Sequence, residues 1–254
     1  DRKLLPSSSA TPIVITGASG TLGRTFARVC IERGLEFKLL NRNEMDIADS
    51  ASIERALALH EPWAIINTAG YVRVDDAEKE PALCFRENTV GPCNLAEICE
   101  RHHLPLVTFS SDLVFDGARS EPYLESDEVR PLNIYGKSKA EAEQGVLDRN
   151  PGALVIRTSP FFGPWDMCNY VTMALCSLRE ERAFPAAHDW TFSPTYVPDL
   201  ARVSLDLLID REQGIWHLCN NEATTWAKLI HRAAEIAGVN ANHLQICRKA
   251  DLAL

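Results

Sequence analysis

Ile13-Val14-Ile15-Thr16-Gly17-Ala18-Ser19-Gly20-Thr21-Leu22-Gly23 is the stretch that decides the fold. A short apolar run gives way to three spaced glycines, and a periodic segment opens at Thr21. This is how a strand turns into a helix. A tight turn at Gly17, close backbone approach at Gly20 and close helix–strand contact at Gly23 would seat a pyrophosphate on the helix N-terminus, with Ser19, Thr21 and Leu22 around it. The spacing is Gly-x-x-Gly-x-x-Gly rather than Gly-x-Gly-x-x-Gly, so a purely structural turn is the competing reading.

Outward from this stretch, short apolar runs alternate with longer amphipathic segments, the pattern of βαβ units. Strands are expected at Ile13 to Thr16, Phe37 to Leu40, Ala64 to Asn67, Leu106 to Ser110 and Leu154 to Arg157. Leu22, Phe26, Val29 and Cys30 recur at helical spacing ahead of Gly34, which places the first crossover helix over Thr21 to Arg33. Further helices are expected around Ile53 to Leu59, Pro81 to His102, Tyr135 to Leu147, Asn169 to Arg182 and Trp226 to Ala237. The fold class is therefore α/β, a Rossmann-type doubly wound parallel sheet with a smaller C-terminal substrate-side lobe. Residues 1–12, rich in Ser and Pro, read as an N-terminal arm or linker; 13–159 form the dinucleotide-binding core; 160–254 form mainly the substrate-side lobe, with strand returns to the core left open.

The 254 residues carry a net charge of −9, which disfavours a broad phosphate-backbone interface, so no nucleic-acid partner is expected. No apolar run approaches the roughly 20 residues that span a bilayer, so no membrane partner is expected either. The eight cysteines contain no Cys-x-x-Cys pair and read as mostly buried thiols of a reducing, cytoplasmic protein. Metal is not expected. His188 has no second ligand at a suitable spacing, and His102-His103 reads as the end of a long helix. Trp190 and Trp226 read as packing residues.

After the second strand, where an acid would hold the ribose hydroxyls of NAD, stand Asn41 and Arg42. A guanidinium there can pair with a 2′-phosphate, so NADP(H) is the expected cofactor, with NAD(H) as the alternative. In Tyr135-Gly136-Lys137-Ser138-Lys139 the phenol and the ammonium lie one helical turn apart. The ammonium is expected to lower the Tyr135 pKa and ready it for proton transfer. Ser110-Ser111-Asp112 lies at the C-terminal end of the fourth strand, where open α/β sheets bind ligands.

Together these features resemble the extended short-chain dehydrogenase/reductase family and, within it, the dTDP-4-dehydrorhamnose reductases. Asn67-Thr68-Ala69-Gly70-Tyr71, Val74-Asp75-Asp76-Ala77-Glu78, Ser110 through Gly117, Arg157-Thr158-Ser159 and Ser193 through Leu200 also carry the resemblance. It implies reduction of the C4 ketone of a nucleotide-linked 4-keto-6-deoxy sugar, with Tyr135 as proton donor, Lys139 holding the nicotinamide ribose and Ser111 bonding the reacting oxygen. It further implies Asp46 and Ile47 at the adenine, Asn67, Ala69, Gly70 and Ser110 along the cofactor, and Ser111, Asp112 and Pro160 at the substrate. Asn88 has either a site role or a backbone-bonding one. Leu113 and Pro160 replace a Tyr and a Trp common in the family, removing flat surfaces that would orient a sugar. The resemblance implies residues beyond Leu254, so the end is expected to be either disordered or incomplete. Two other readings stay open: a nicotinamide-binding regulatory subunit similar to that of methionine adenosyltransferase, and one domain of a bifunctional protein. A homo-oligomer is also left open.

Overall fold

Strands buried on both faces need helices above and below them, which a parallel sheet with crossover helices provides. The computed structural model describes residues 11–166 and 169–252. Its first half runs β1 (Ile13–Thr16), α1 (Thr21–Arg33), β2 (Phe37–Leu40), α2 (Ser50–His60), β3 (Ala64–Asn67), α3 (Pro81–Phe85), α4 (Gly91–Arg101), β4 (Leu106–Ser111), α5 (Ile134–Arg149) and β5 (Leu154–Thr158). There follow β6 (Phe161–Phe162), α6 (Tyr170–Arg179), β7 (Phe184–Ala187), β8 (Thr191–Phe192), β9 (Thr195–Tyr196) and α7 (Val197–Asp210). The described chain closes with β10 (Gly214–His217), β11 (Thr224–Thr225), α8 (Trp226–Ala237) and β12 (Leu244–Cys247). Most of the N-terminal arm, residues 1–10, lies outside the described residues, as do Cys168 and the final two positions.

The chain divides into two units. The first, residues up to Thr158 together with Ala201–His217, holds a six-stranded sheet in the order β10-β5-β4-β3-β1-β2, with every pair parallel. Strand order reverses between β1 and β3. The carboxyl ends of these two strands therefore flank the crevice where such sheets take ligands. β1, β3 and β5 are buried throughout, and Val14, Ile65 and Val155 pack with Ile53, Leu95 and Ile98 from the helices. Gly34 ends α1 in the left-handed region at φ 64°, its N–H bonding back to the last turn.

The second unit comprises Ser159–Leu200 and Leu218–Leu254. Its short pairs are β6 with β9, β7 with β12 and β8 with β11. Trp226 packs against Phe192 and Tyr170 at ring-centroid distances of 4.4 and 4.6 Å, a core role as expected, and Trp190 packs on the same cluster.

Three features depart from the sequence reading. The single helix expected over Pro81 to His102 is α3 and α4 joined by a π-helical stretch, Arg86–Val90. Pro92 has no N–H for the carbonyl of Asn88, and the Gly91 N–H reaches back to Arg86, widening the turn. Helix α7 was not expected, and β10, a strand return that the sequence left open without placing, joins the first unit's sheet beside β5. Among the cysteines, Cys30, Cys84, Cys93 and Cys99 are buried, whereas Cys219 is exposed. Burial pushes the Cys99 thiol up to about 12.

Candidate active site

The glycine loop begins where β1 ends. Gly17 has φ +81°, and a Cβ there would lie 2.7 Å from Thr68 Oγ1 and 2.9 Å from the Ala69 nitrogen. A side chain at Gly23 would come within 2.6 Å of the Gly17 carbonyl oxygen, so α1 can start this close to β1 only with glycine at both positions. The N-cap of α1 is Gly20, no side chain caps the helix, and its first turn holds no acidic residue. Ser19 and Gly20 are exposed and Thr21 is partly so, while Leu22 is buried. An uncapped helix N-terminus opening beside a backbone cradle offers N–H donors and positive potential to an anion.

At the end of β3, both polar atoms of the Asn67 side chain are engaged. Its Oδ1 accepts from Thr16 Oγ1 at 2.7 Å and from the Ala69 N–H at 3.2 Å, and its Nδ2 donates to Thr108 Oγ1 at 3.1 Å. Asn67 is buried. It ties β1, β3 and β4 together and fixes Ala69 and Gly70, which are partly exposed.

After β2, Asn41 holds a tight turn. Its Oδ1 accepts from the Asn43 N–H, while its own N–H donates to Glu44 Oε2 at 2.8 Å. Arg42 is paired with Glu87 at 2.6 Å. Arg86 bridges Glu87 and Asp46, the latter at 2.6 Å. Burial raises the Asp46 pKa, but the Arg86 guanidinium and the Ala48 N–H outweigh it and hold the carboxyl below its ordinary value. Ile47 is buried, its carbonyl accepting from Asn94 Nδ2 at 3.3 Å.

Strand β4 ends at Ser111, whose Oγ accepts from the Leu113 N–H at 3.1 Å and donates to Asp112 at 3.0 Å. Helix α5 starts against this turn, because Gly136 has no side chain to strike the Leu113 carbonyl oxygen. Asn133 Oδ1 caps the helix by accepting from the Gly136 N–H at 2.7 Å, and Glu78 accepts from the Ile134 N–H at 2.8 Å. One turn in, Lys139 Nζ stands 5.8 Å from the centre of the Tyr135 ring and donates to the Phe109 carbonyl at 3.0 Å. Thus Tyr135, Lys139 and the Ser110-Ser111-Asp112 turn share one end of the sheet.

The electrostatics correct one expectation. Burial first, then Asp112 and Cys84, push the Tyr135 phenol up rather than down. Lys139 bonds a carbonyl rather than the phenol. Burial lowers its own pKa to about 8 against the opposing pull of Cys84 and Glu143. Behind this pair, Asn88 is wholly buried and exchanges hydrogen bonds with the backbone of Tyr71, accepting at 2.8 Å and donating at 3.1 Å; it also donates to Ser138 Oγ. The structure therefore gives Asn88 the backbone-bonding role. Ser110 Oγ is the buried side-chain polar atom without a partner among the described residues, and such an atom at a strand's ligand end is suited to a bound group. Pro160 belongs to the second unit, where its carbonyl accepts from the Thr195 N–H at 2.9 Å.

Thr68, Glu87, Arg86 and Asn133 went unread in the sequence. Asn133 alone had a signal, an amide three residues ahead of a glycine at the head of a helix.

A parallel Rossmann-type sheet, a glycine cradle on an uncapped helix and a Tyr-Lys pair beside the end of β4 define an extended short-chain dehydrogenase/reductase. A family model described as the RmlD substrate binding domain matches residues 11–253, and the chain belongs to that family. It is 34% identical over 221 residues to a dTDP-4-dehydrorhamnose reductase of Aggregatibacter actinomycetemcomitans, covering 84% of this chain and 75% of the relative. It is 30% identical over 235 residues to a dTDP-4-keto-6-deoxy-D-glucose reductase of Streptomyces niveus, covering 91% and 81%. The crystal structure of a dTDP-4-dehydrorhamnose reductase from Bacillus anthracis in complex with NADP superimposes with a TM-score of 0.91 at 28% identity, covering 95% of this chain and 85% of that one.

Proposed function

We propose that this chain is an NADPH-dependent reductase of the C4 ketone of a dTDP-linked 4-keto-6-deoxyhexose. The observation that carries this reading is the start of α5, pressed against the turn after β4 so that Tyr135 and Lys139 accompany Ser111 at the ligand end of the sheet. The names of the two reductase relatives support the substrate class.

The uncapped turn of α1 with Ser19, Gly20, Thr21 and Leu22 would hold the pyrophosphate; Asn41, Arg42, Asp46 and Ile47 would hold the adenosine end; Ala69, Gly70, Ser110 and Lys139 would hold the nicotinamide end. When bound, the reduced nicotinamide supplies the hydride. Tyr135, whose raised pKa keeps the phenol protonated at neutral pH, donates the proton to the carbonyl oxygen. Ser111 turns its hydroxyl from Asp112 to that oxygen and stabilises the charge developing there. The Lys139 ammonium steadies the tyrosinate left behind until water restores its proton. Asp112, beside Ser111, is assigned to the sugar.

The test is turnover of a panel of dTDP-linked ketosugars with NADPH, following cofactor loss and the reduced sugar by mass. Tyr135→Phe is expected to reduce kcat by about 100- to 10,000-fold while NADPH still binds. Wild-type protein that reduces no member of the panel, or a Tyr135→Phe variant with undiminished kcat, would overturn the reading.

A further inference from the structure

Resting on that reading of the dinucleotide site, we infer that Glu87 sets this chain's choice between phosphorylated and unphosphorylated cofactor by competing with the ribose 2′-phosphate for Arg42. Directly after β2, where NAD-selective sheets carry the carboxylate that holds the ribose hydroxyls, stand Asn41 and Arg42. The structure brings one from elsewhere. Glu87 lies in the π-helical stretch Arg86–Val90, is 3% exposed, and places Oε2 2.6 Å from the Arg42 guanidinium.

The charges around Arg42 decide what a phosphate meets. Arg42, Glu87, Arg86 and Asp46 form a chain of alternating sign, linked at 2.6, 2.5 and 2.6 Å. Glu44, on the turn itself, accepts from the Asn41 N–H. The four linked charges sum to zero, so a 2′-phosphate finds a cation already neutralised. Arg42 has 59% of its side chain exposed and can swing, whereas Glu87 is anchored from its other oxygen by Arg86. A bound phosphate must therefore share Arg42 with a fixed, poorly screened carboxylate, and their mutual repulsion subtracts from NADPH affinity alone. NADH brings a neutral ribose to the same place and is not penalised.

Glu87 acts through Arg42, so its signature is a ratio of affinities. Dissociation constants for NADPH and NADH are measured by calorimetry on wild type, Glu87→Gln, Arg86→Gln, Arg42→Ala and the Glu87→Gln/Arg42→Ala double variant. Glu87→Gln is expected to shift the ratio roughly tenfold towards NADPH, the scale of one charge-assisted contact. In the Arg42→Ala background the same change is expected to shift it less than about twofold. Arg86→Gln frees both Glu87 oxygens for Arg42 and is expected to move the ratio towards NADH, which decides the matter if Glu87→Gln does not fold. An unmoved ratio in folded Glu87→Gln, an equal shift without Arg42, or a shift towards NADPH in Arg86→Gln overturns the inference while leaving the dinucleotide site standing. Failure of wild type to bind either cofactor overturns both.

Discussion

Lys139 is buried, and its ammonium donates to the Phe109 carbonyl. Its pKa, lowered from 10.5 to about 8, means that the folded protein holds this proton less tightly than the unfolded chain. The unfolded state therefore binds more protons between those two values, and stability rises with pH across that window. Below about 8 the destabilisation is present in full. Replacing the ammonium should consequently strengthen the cofactor-free fold. Lys139→Met is expected to raise unfolding free energy at pH 7 by about 2 kcal/mol, after allowance for the lost Phe109 bond. Chemical denaturation checks this, and a variant less stable than wild type would show that the ammonium is not strained. In the proposed mechanism the same proton governs turnover, because only the charged form would steady the tyrosinate. The value belongs to the cofactor-free protein, so kcat/KM for NADPH, which reports the free enzyme, should decline as pH rises past about 8; a flat profile well beyond that point excludes the role.

At the scale of elements, helix α5 owes its position to Gly136 and its N-cap to Asn133. Gly136→Ala puts a methyl group against the Leu113 carbonyl, a backbone atom that can move only by shifting the turn carrying Ser111. The expected result is destabilisation of about 1–3 kcal/mol with a fall in kcat exceeding the rise in KM, because the helix bearing Tyr135 is displaced. Asn133→Ala should lower stability by about 1 kcal/mol and leave kcat nearly unchanged. Steady-state kinetics on both variants separates the contact from the cap, and equal kinetic effects would count against this account. The Tyr-Lys pair and the glycine turn could be read in the sequence because both are local. A four-residue step in a helix fixes a shared face, and a strand followed by spaced glycines fixes a turn. The partnership of Arg42 with Glu87 was not legible, since it depends on how the π-helical stretch is brought beside the turn after β2. Nor was the direction of the Tyr135 shift, because a neighbouring ammonium can be guessed from spacing whereas burial cannot.

Across the whole molecule, the first five strands were legible from apolar runs flanked by turn residues, but β10 was not. It is a short edge strand whose four residues are all half-buried, with neither strict alternation nor a continuous apolar run. Its ladder with β5 and the packing of Ile215 on the core hold it in place, and a polar contact is added at its end. Arg157 on β5 forms a buried ion pair with Glu143 at 2.7 Å, contacts His217 at 3.3 Å, and lies 4.9 Å from the centre of the Phe115 ring. Arg157→Leu alone strands a buried carboxylate and is expected to destabilise by about 3–5 kcal/mol, whereas Arg157→Leu combined with Glu143→Leu should recover most of the loss. Thermal unfolding of the two variants and the wild type tests this; a double variant no better than the single would assign the effect to shape rather than charge. The late return of β10 also imposes an order on synthesis. When Thr158 leaves the ribosome, the side of β5 away from β4 is an unpaired edge, and it stays so until Gly214–His217 is made. Nascent chains are therefore open to edge-to-edge aggregation throughout that interval, and this protein should depend on chaperones most while the segment between β5 and β10 is being translated.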